Sequence, residues 1–194
     1  MPGQYTGFEM RRFEALSNTI FGVAMTLLAY DIPRRQLSTD NPDWVAIWST
    51  YKSPLLALLL GFIIAGLFWF SHQRRLAYQP EASRLVVIGN LLFLLSIVAL
   101  PMSTGLYGRF PDAADIVALY ALHLAVISGL NLILWFAAAL PRRDWLALGA
   151  PSFAALPLLL AAGVSFVAPV TAQYLWCLSF AAPVFASLLE RRHT

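Results

Sequence analysis

The sequence has one cysteine, few charged residues and no recognisable catalytic grouping. Cys177 alone excludes an internal disulfide and a metal cage built from cysteines, and its apolar surroundings predict a small packing residue. Charged residues make up 12% of the 194, against about a quarter in soluble domains. No HExxH motif occurs, no paired carboxylates stand at helical spacing, and no Ser, His and Asp fall on suitable turns. Neither an enzyme, a cofactor nor a resident metal ion is therefore predicted.

Long apolar blocks dominate what is present. Hydrophobic residues make up 59% of the chain, and each block is comparable to the ~20 residues that cross a bilayer core. We expect an all-α integral membrane protein, with residues 1–194 forming a single domain of six transmembrane helices. The predicted spans are residues 13–32, 45–71, 85–104, 116–140, 145–167 and 173–189. The first block follows a polar lead and has no small-residue cleavage site, so we expect it to be retained.

The arginines that flank these blocks predict the orientation. With six spans, nine of the thirteen Lys and Arg residues share the side of both termini and four lie on the other side. By the positive-inside rule both termini are expected in the cytoplasm of a multi-pass membrane protein. The same arginines account for the net charge of +3, so no nucleic-acid partner is predicted.

One helical stripe of the first span carries unusual chemistry. Its residues recur at steps of three and four, which places them on one helix face: Arg12, Leu16, Thr19, Val23, Thr26 or Leu27, and Tyr30. An arginine at one end, hydroxyls along the middle and a phenol at the other end are unusual against lipid, and the stripe predicts a face toward an ion path. Ordinary packing between membrane helices is the alternative interpretation.

A second segment is superficially like a potassium-channel filter. Residues 104–108 read TGLYG, whereas the TVGYG filter needs glycine at its third position, where Leu106 stands. The segment follows the third predicted span, which we expect to end at Pro101, with no re-entrant helix before it. We therefore predict a glycine-rich turn and no re-entrant filter.

The start of the first span resembles a known channel family. Residues 12–18, RFEALSN, followed by IFGVAMTLLAYDI, resemble the RxxxFSD signature and first helix of the transmembrane protein 175 potassium-channel family. The resemblance is to bacterial members with one six-helix repeat, and WFSH at residues 69–72 and LPMST at residues 100–104 agree with it. It implies a tetramer in a bacterial plasma membrane, embedded in lipid, whose first helices line a central potassium path.

The resemblance also implies particular pore residues. The family's principal apolar ring falls on Val23, the threonine one turn later on Thr26, and the next apolar ring on Tyr30. Leu27 lies on the same constriction. Four copies of Val23 would form an apolar neck that gates by dewetting, and Thr26 hydroxyls would supply oxygen ligands to a potassium ion in transit. Since valine is shorter than the family's isoleucine and tyrosine is larger than leucine, we expect the narrowest point to lie toward Tyr30.

A polar network at the cytoplasmic end is implied as well. Its members by resemblance are Arg12, Leu16, Ser17, Asn18 and His72, and two of them depart from the family pattern: Leu16 replaces phenylalanine and Asn18 replaces aspartate. The amide keeps hydrogen bonding without the strength that a charge adds. His72, beside Gln73, Arg74 and Arg75, is interpreted as a residue of the membrane interface. A hydrogen bond to the Ser17–Asn18 region is the alternative interpretation.

Two function classes stay open. The first is a tetrameric potassium-permeable channel; the second is a small multi-span carrier or a non-conducting assembly subunit. A carrier is expected to show paired internal repeats and a charged site at mid-membrane, and neither is evident. His123, inside the fourth span, has no evident partner in the sequence and is predicted to be a satisfied packing histidine.

Overall fold

Helices make up nearly all of the computed structural model, which describes residues 8–30, 41–78 and 81–181. The α-helices of these residues are α1 (Met10–Leu27), α2 (Trp44–Tyr78), α3 (Arg84–Arg109), α4 (Ala114–Ala139), α5 (Gly149–Val164) and α6 (Pro169–Leu178). Short 3-10 helices cover Leu140–Arg142, Trp145–Leu148 and Ser179–Ala181. The predicted all-α class therefore holds.

One small antiparallel pairing is added to the helices. Strand β1 (Phe8–Glu9) pairs with β2 (Glu81–Ala82), with Phe8 opposite Ala82 and Glu9 opposite Glu81. The backbone just before α1 is thereby joined to the connection between α2 and α3.

Four stretches of the described residues are long and apolar enough to cross a membrane. They are Trp44–Tyr78, Arg84–Arg109, Ala114–Arg142 and Trp145–Val164. Helix α1 ends at Leu27, short of the predicted limit at residue 32, and residues 31–40 lie outside the described part. The predicted sixth span begins inside α6, and its end beyond residue 181 also lies outside the described part. Six spans therefore stay a prediction.

Helix α2 runs without a break through Pro54, so that proline marks neither a start nor an end. The helix begins after Asp43, whose Oδ1 accepts the backbone N–H of Ala46 at 2.7 Å, as a capping side chain does. Next to the proline, the Ser53 hydroxyl donates to the carbonyl of Gly108 at 2.9 Å. That bond fixes the start of α2 against the end of α3.

The structure corrects the prediction for the third span. Helix α3 continues through Pro101 to Arg109, so the predicted end at Pro101 and the predicted turn at residues 104–108 are wrong. Gly108 serves packing instead, since an added Cβ would lie 2.9 Å from the Ala57 Cβ of α2. Tertiary contact here decides a segment whose glycines favour a turn by local preference.

The most buried helix is α4, which packs against α3 and α5. Tyr120 of α4 is fully buried, stacks on Tyr107 of α3 at 5.1 Å between ring centroids, and meets the edge of Trp176 of α6 at 5.1 Å. Aromatic packing of this kind joins three helices. The neighbouring Cys177 is exposed, so its predicted role as a packing residue is wrong.

Candidate functional site

Helix α1 has one face packed into the protomer. Its buried side chains follow steps of three and four: Phe13, Ser17, Phe21, Ala24 and Leu28. They meet α2 and α3, where Phe21 lies 5.9 Å from the His72 ring and 6.1 Å from the Phe93 ring. This apolar face decides which way the rest of α1 points.

The predicted pore residues lie together on a different face, which the protomer leaves uncovered. We call these six exposed residues the α1 stripe: Leu16, Thr19, Val23, Thr26, Leu27 and Tyr30. Val23, at the centre, is 52% exposed although it is an aliphatic side chain. Tyr30 lies beyond the helix in a turn, where its N–H bonds the Leu27 carbonyl at 3.0 Å. The structure thus brings the predicted constriction residues onto one surface.

The two threonines of the α1 stripe are oriented by their own helix. Thr19 Oγ1 donates to the Ala15 carbonyl at 3.0 Å, and Thr26 Oγ1 donates to the Val23 carbonyl at 2.8 Å. Each bond uses the hydroxyl hydrogen and leaves the oxygen lone pairs as acceptors. An exposed oxygen in this state can coordinate a cation, as hydroxyl and carbonyl oxygens do in ion sites.

Among the signature residues whose side chains the structure describes, Ser17, Asn18 and His72 hydrogen-bond to different partners. Ser17 is fully buried and its hydroxyl donates to the Phe13 carbonyl at 2.8 Å. Asn18 Oδ1 accepts the indole N–H of Trp69 at 2.9 Å and an amide N–H of Gln73. The donors that meet Asn18 therefore come from the residues on either side of His72. The side chain of Arg12 lies outside the described part.

His72 belongs to a separate buried cluster that the sequence did not reveal. The ring is fully buried, which contradicts an interface position, and its Nδ1 accepts from the Arg75 guanidinium at 2.6 Å. Arg75 is 2% exposed and also donates to Asn131 Oδ1 at 2.9 Å and Asn90 Oδ1 at 2.5 Å. None of these three acceptors carries a charge. We define the buried arginine cluster as His72, Arg75, Asn90 and Asn131, which joins α2, α3 and α4.

The buried arginine cluster also meets α1 through aromatic rings. Phe93 lies beneath the Arg75 guanidinium at 5.5 Å and stacks on His72 at 5.5 Å between centroids. Both Phe93 and His72 contact Phe21, on the packed face of α1. Two features of the sequence could have predicted this cluster: Asn90 and Asn131 are polar residues inside apolar runs. Such residues in membrane helices need polar partners.

His123 is satisfied, as predicted, and its partners are now evident. Nδ1 lies 2.7 Å from the Ser103 hydroxyl, and Nε2 lies 3.1 Å from the Ser96 carbonyl. Because a carbonyl only accepts, Nε2 carries the hydrogen. The histidine thus joins α4 to α3, and neither of these partners belongs to the α1 stripe.

Fold and site together define a helical, multi-span membrane protein whose first helix presents hydroxyls and apolar side chains on an uncovered face. The family model described as "Endosomal/lysosomal potassium channel TMEM175" matches residues 12–101. The predicted resemblance is confirmed: over residues 12–101 the chain is similar to TMEM175, which is a family of ion channels and not of enzymes.

Individual relatives agree with that family. A potassium channel of Streptomyces collinus is 28% identical over 122 residues, covering 62% of this chain and 59% of that relative. The chicken proton channel TMEM175 is 31% identical over 108 residues, 52% of this chain and 22% of its own length. The human proton channel is 27% identical over 146 residues, 70% of this chain and 29% of its own length. The chain thus spans a little over half of the bacterial relative and less than a third of the animal ones.

A solved structure shows the fold. The crystal structure of a lysosomal potassium-selective channel TMEM175 homolog from Chamaesiphon minutus superposes with a TM-score of 0.75 at 24% identity. The match covers 93% of this chain and 98% of the other, so the helical arrangement is shared over nearly the whole of both chains.

Proposed function

We propose that this chain is the subunit of a tetrameric, potassium-permeable cation channel in a bacterial plasma membrane. Four copies place their α1 stripes around a central path, each copy contributes one six-helix repeat, and both termini lie in the cytoplasm. The names of the relatives, which include potassium channels, support this reading. The single observation that carries it is the exposed α1 stripe, centred on Val23.

The conduction path follows from the chemistry of that stripe. Val23 from four copies forms an apolar neck, and a narrow apolar pore excludes water until it widens or is made polar. The Thr26 oxygens, one helical turn away, face the same path with free lone pairs and replace part of the hydration shell of a passing potassium ion. Tyr30 lies at the outer end, where its larger ring makes the narrowest point.

The polar residues at the other end of α1 hold the helix in place. Asn18 joins α1 to α2 through Trp69 and Gln73, and the buried face keeps Val23 turned outward from the protomer. Arg12, Leu16 and Ser17 belong to the same cytoplasmic end of α1. His72 stabilises the position of α1 through its ring contact with Phe21.

The test is potassium flux through purified protein in liposomes. Val23→Asn makes the neck polar, so flux should rise above that of the wild type, and Tyr30→Ala should also raise it if Tyr30 is the narrowest point. The matched control is Val98→Asn on α3, because Val98 is also 52% exposed. It should leave flux unchanged.

One outcome of this flux experiment would contradict the proposal. If the wild type conducts no potassium and neither Val23→Asn nor Tyr30→Ala produces any, the channel proposal is wrong. Effects of Val23→Asn confined to stability would instead fit a non-conducting assembly subunit.

A further inference from the structure

A cavity inside the helical domain lies away from the α1 stripe. It lies between α2, α4 and α5, with apolar walls that include Phe68 and Leu158. Its polar lining comes from Ser71, Ser128 and Asn131, together with Ser179 of the last 3-10 helix. The space open to the centre of a water molecule is about 20 Å³, and roughly 10–15 Å³ by this measure holds one water.

One side chain in this cavity is buried without a partner. Ser128 of α4 is 1% exposed, and its hydroxyl makes no hydrogen bond to any described residue. A hydroxyl removed from water and left unbonded is costly, and such groups in folded proteins are usually met by an ordered water.

A second hydroxyl, that of Ser71 on α2, also lines the cavity and has a hydrogen to donate. Ser71 Oγ accepts the amide N–H of Asn131 at 3.0 Å and the indole N–H of Trp135 at 2.9 Å. Two donors occupy both lone pairs of that oxygen, so its own hydrogen points away from them. The cavity therefore offers one donor from Ser71 and a donor or acceptor from Ser128.

We propose that this cavity binds one internal water molecule, held between the Ser71 and Ser128 hydroxyls. The water accepts from Ser71 and exchanges a hydrogen bond with Ser128, which joins α2 to α4 inside the membrane domain. This site is independent of the proposed conduction path, since none of the lining residues belongs to the α1 stripe.

The water also completes the surroundings of the buried arginine cluster. Ser71 accepts from Asn131, and Asn131 accepts from Arg75, so three hydrogen bonds in series connect the water to the guanidinium. Hydrogen bonds in such a chain polarise one another. The Arg75 guanidinium, whose named partners are all neutral, is thus stabilised by the dipole of the water, acting through Asn131 and Ser71.

Radiolytic labelling tests the site directly. A short X-ray pulse makes hydroxyl radicals from bound water, and these oxidise the side chains that they touch. In protein held in lipid nanodiscs, Phe68 should be oxidised several-fold faster than Phe93, another buried phenylalanine, which does not line the cavity. Ser128→Val fills the space and should abolish the difference. Equal, low oxidation of Phe68 and Phe93 in the wild type would overturn the proposal.

Thermal unfolding supplies a second, independent readout. If water bonds Ser128, Ser128→Ala should lower the unfolding midpoint by roughly 2–4 °C, because a made hydrogen bond is lost. An empty cavity predicts the opposite, since alanine would remove an unbonded hydroxyl and raise the midpoint. Ser165→Ala is the matched control: Ser165 is also 1% exposed but donates to the Ala162 carbonyl at 2.8 Å.

Discussion

Phe21 and Val23 stand two positions apart on α1 and face opposite sides of the helix: Phe21 is 1% exposed and Val23 is 52% exposed. The first is held by His72 and Phe93, whereas the second has no such cover within the protomer. Side chains two positions apart on a helix differ by about 200° in direction. When Phe21 packs into the protomer, Val23 therefore projects from the other side of α1. The rotation of α1 is therefore set by the core.

The first prediction concerns which valine meets water in the assembled protein. In a Cys177→Ser background, Val23→Cys should cross-link between copies and react with a charged thiol reagent whenever the neck widens and admits water, because it lines a shared path. Val98→Cys, with the same exposed fraction on α3, should react slowly because lipid covers it. Mass spectrometry of the modified protein measures both rates. Faster reaction at Val98 than at Val23 would contradict the proposed pore lining.

The second prediction concerns the crossing of three helices at Gly61. A Cβ at this position would lie 2.8 Å from Thr104 Cγ2 and 3.0 Å from Leu28 Cδ2. Gly61→Ala should therefore destabilise the protein by about 1–3 kcal/mol through overpacking. At Gly129 an added Cβ meets nothing within 4 Å, so Gly129→Ala should be neutral or stabilise by up to ~1 kcal/mol. The unfolding midpoints of the two variants are measured in detergent by intrinsic fluorescence. Equal midpoints would show that the helix crossing has room for an added methyl group.

The third prediction concerns Arg75, whose hydrogen-bond partners among the described residues are all neutral. Arg75→Met leaves the oxygens of Asn90 and Asn131 without their donor, and each unmet buried acceptor costs about 1–3 kcal/mol. Arg74→Met is the control, because the adjacent arginine is half-buried and stacks over Phe70. It should cost less than ~1 kcal/mol.

The same cluster allows a rescue. Replacing Arg75, Asn90 and Asn131 together by apolar residues of similar volume should recover most of the loss in thermal stability, since no unmet polar group is then buried. A triple variant that unfolds more readily than Arg75→Met alone would show that the cluster does more than satisfy its own members.

The fourth prediction concerns Asn18, which stands at the position of the aspartate in the family signature that the first span resembles. Asn18→Asp turns the bonds from Trp69 and Gln73 into charge-assisted ones and should stabilise the α1–α2 contact. The site is exposed, so the gain should stay below ~1 kcal/mol. Asn18→Ala, which removes the acceptor, should lower the unfolding midpoint instead. A lower midpoint for Asn18→Asp than for Asn18→Ala would contradict this account.

The sequence predicted what depends on local pattern. Apolar blocks located α2 to α5, and the three- and four-residue steps around Val23 located the α1 stripe, because both follow from helix geometry alone. The end of the third span was wrong because proline and glycine favour a break locally, while Gly108 is needed for close contact with Ala57. Packing between distant segments decides such positions.

Arg75 shows the other limit. Beside Arg74 it has the appearance of an ordinary cytoplasmic anchor, and only the burial of one of the two separates them. That burial depends on Asn90 and Asn131, which are 15 and 56 residues away along the chain. Polar residues inside apolar runs mark the partners, but the pattern does not say which arginine they receive.

The pairing of β1 with β2 gives the channel proposal a mechanical consequence. Because Phe8–Glu9 is bonded to Glu81–Ala82, a pull on the chain ahead of α1 acts also on the connection that leads into α3. A force applied at the amino-terminal end would therefore be divided between α1 and α3 before it reached the proposed neck.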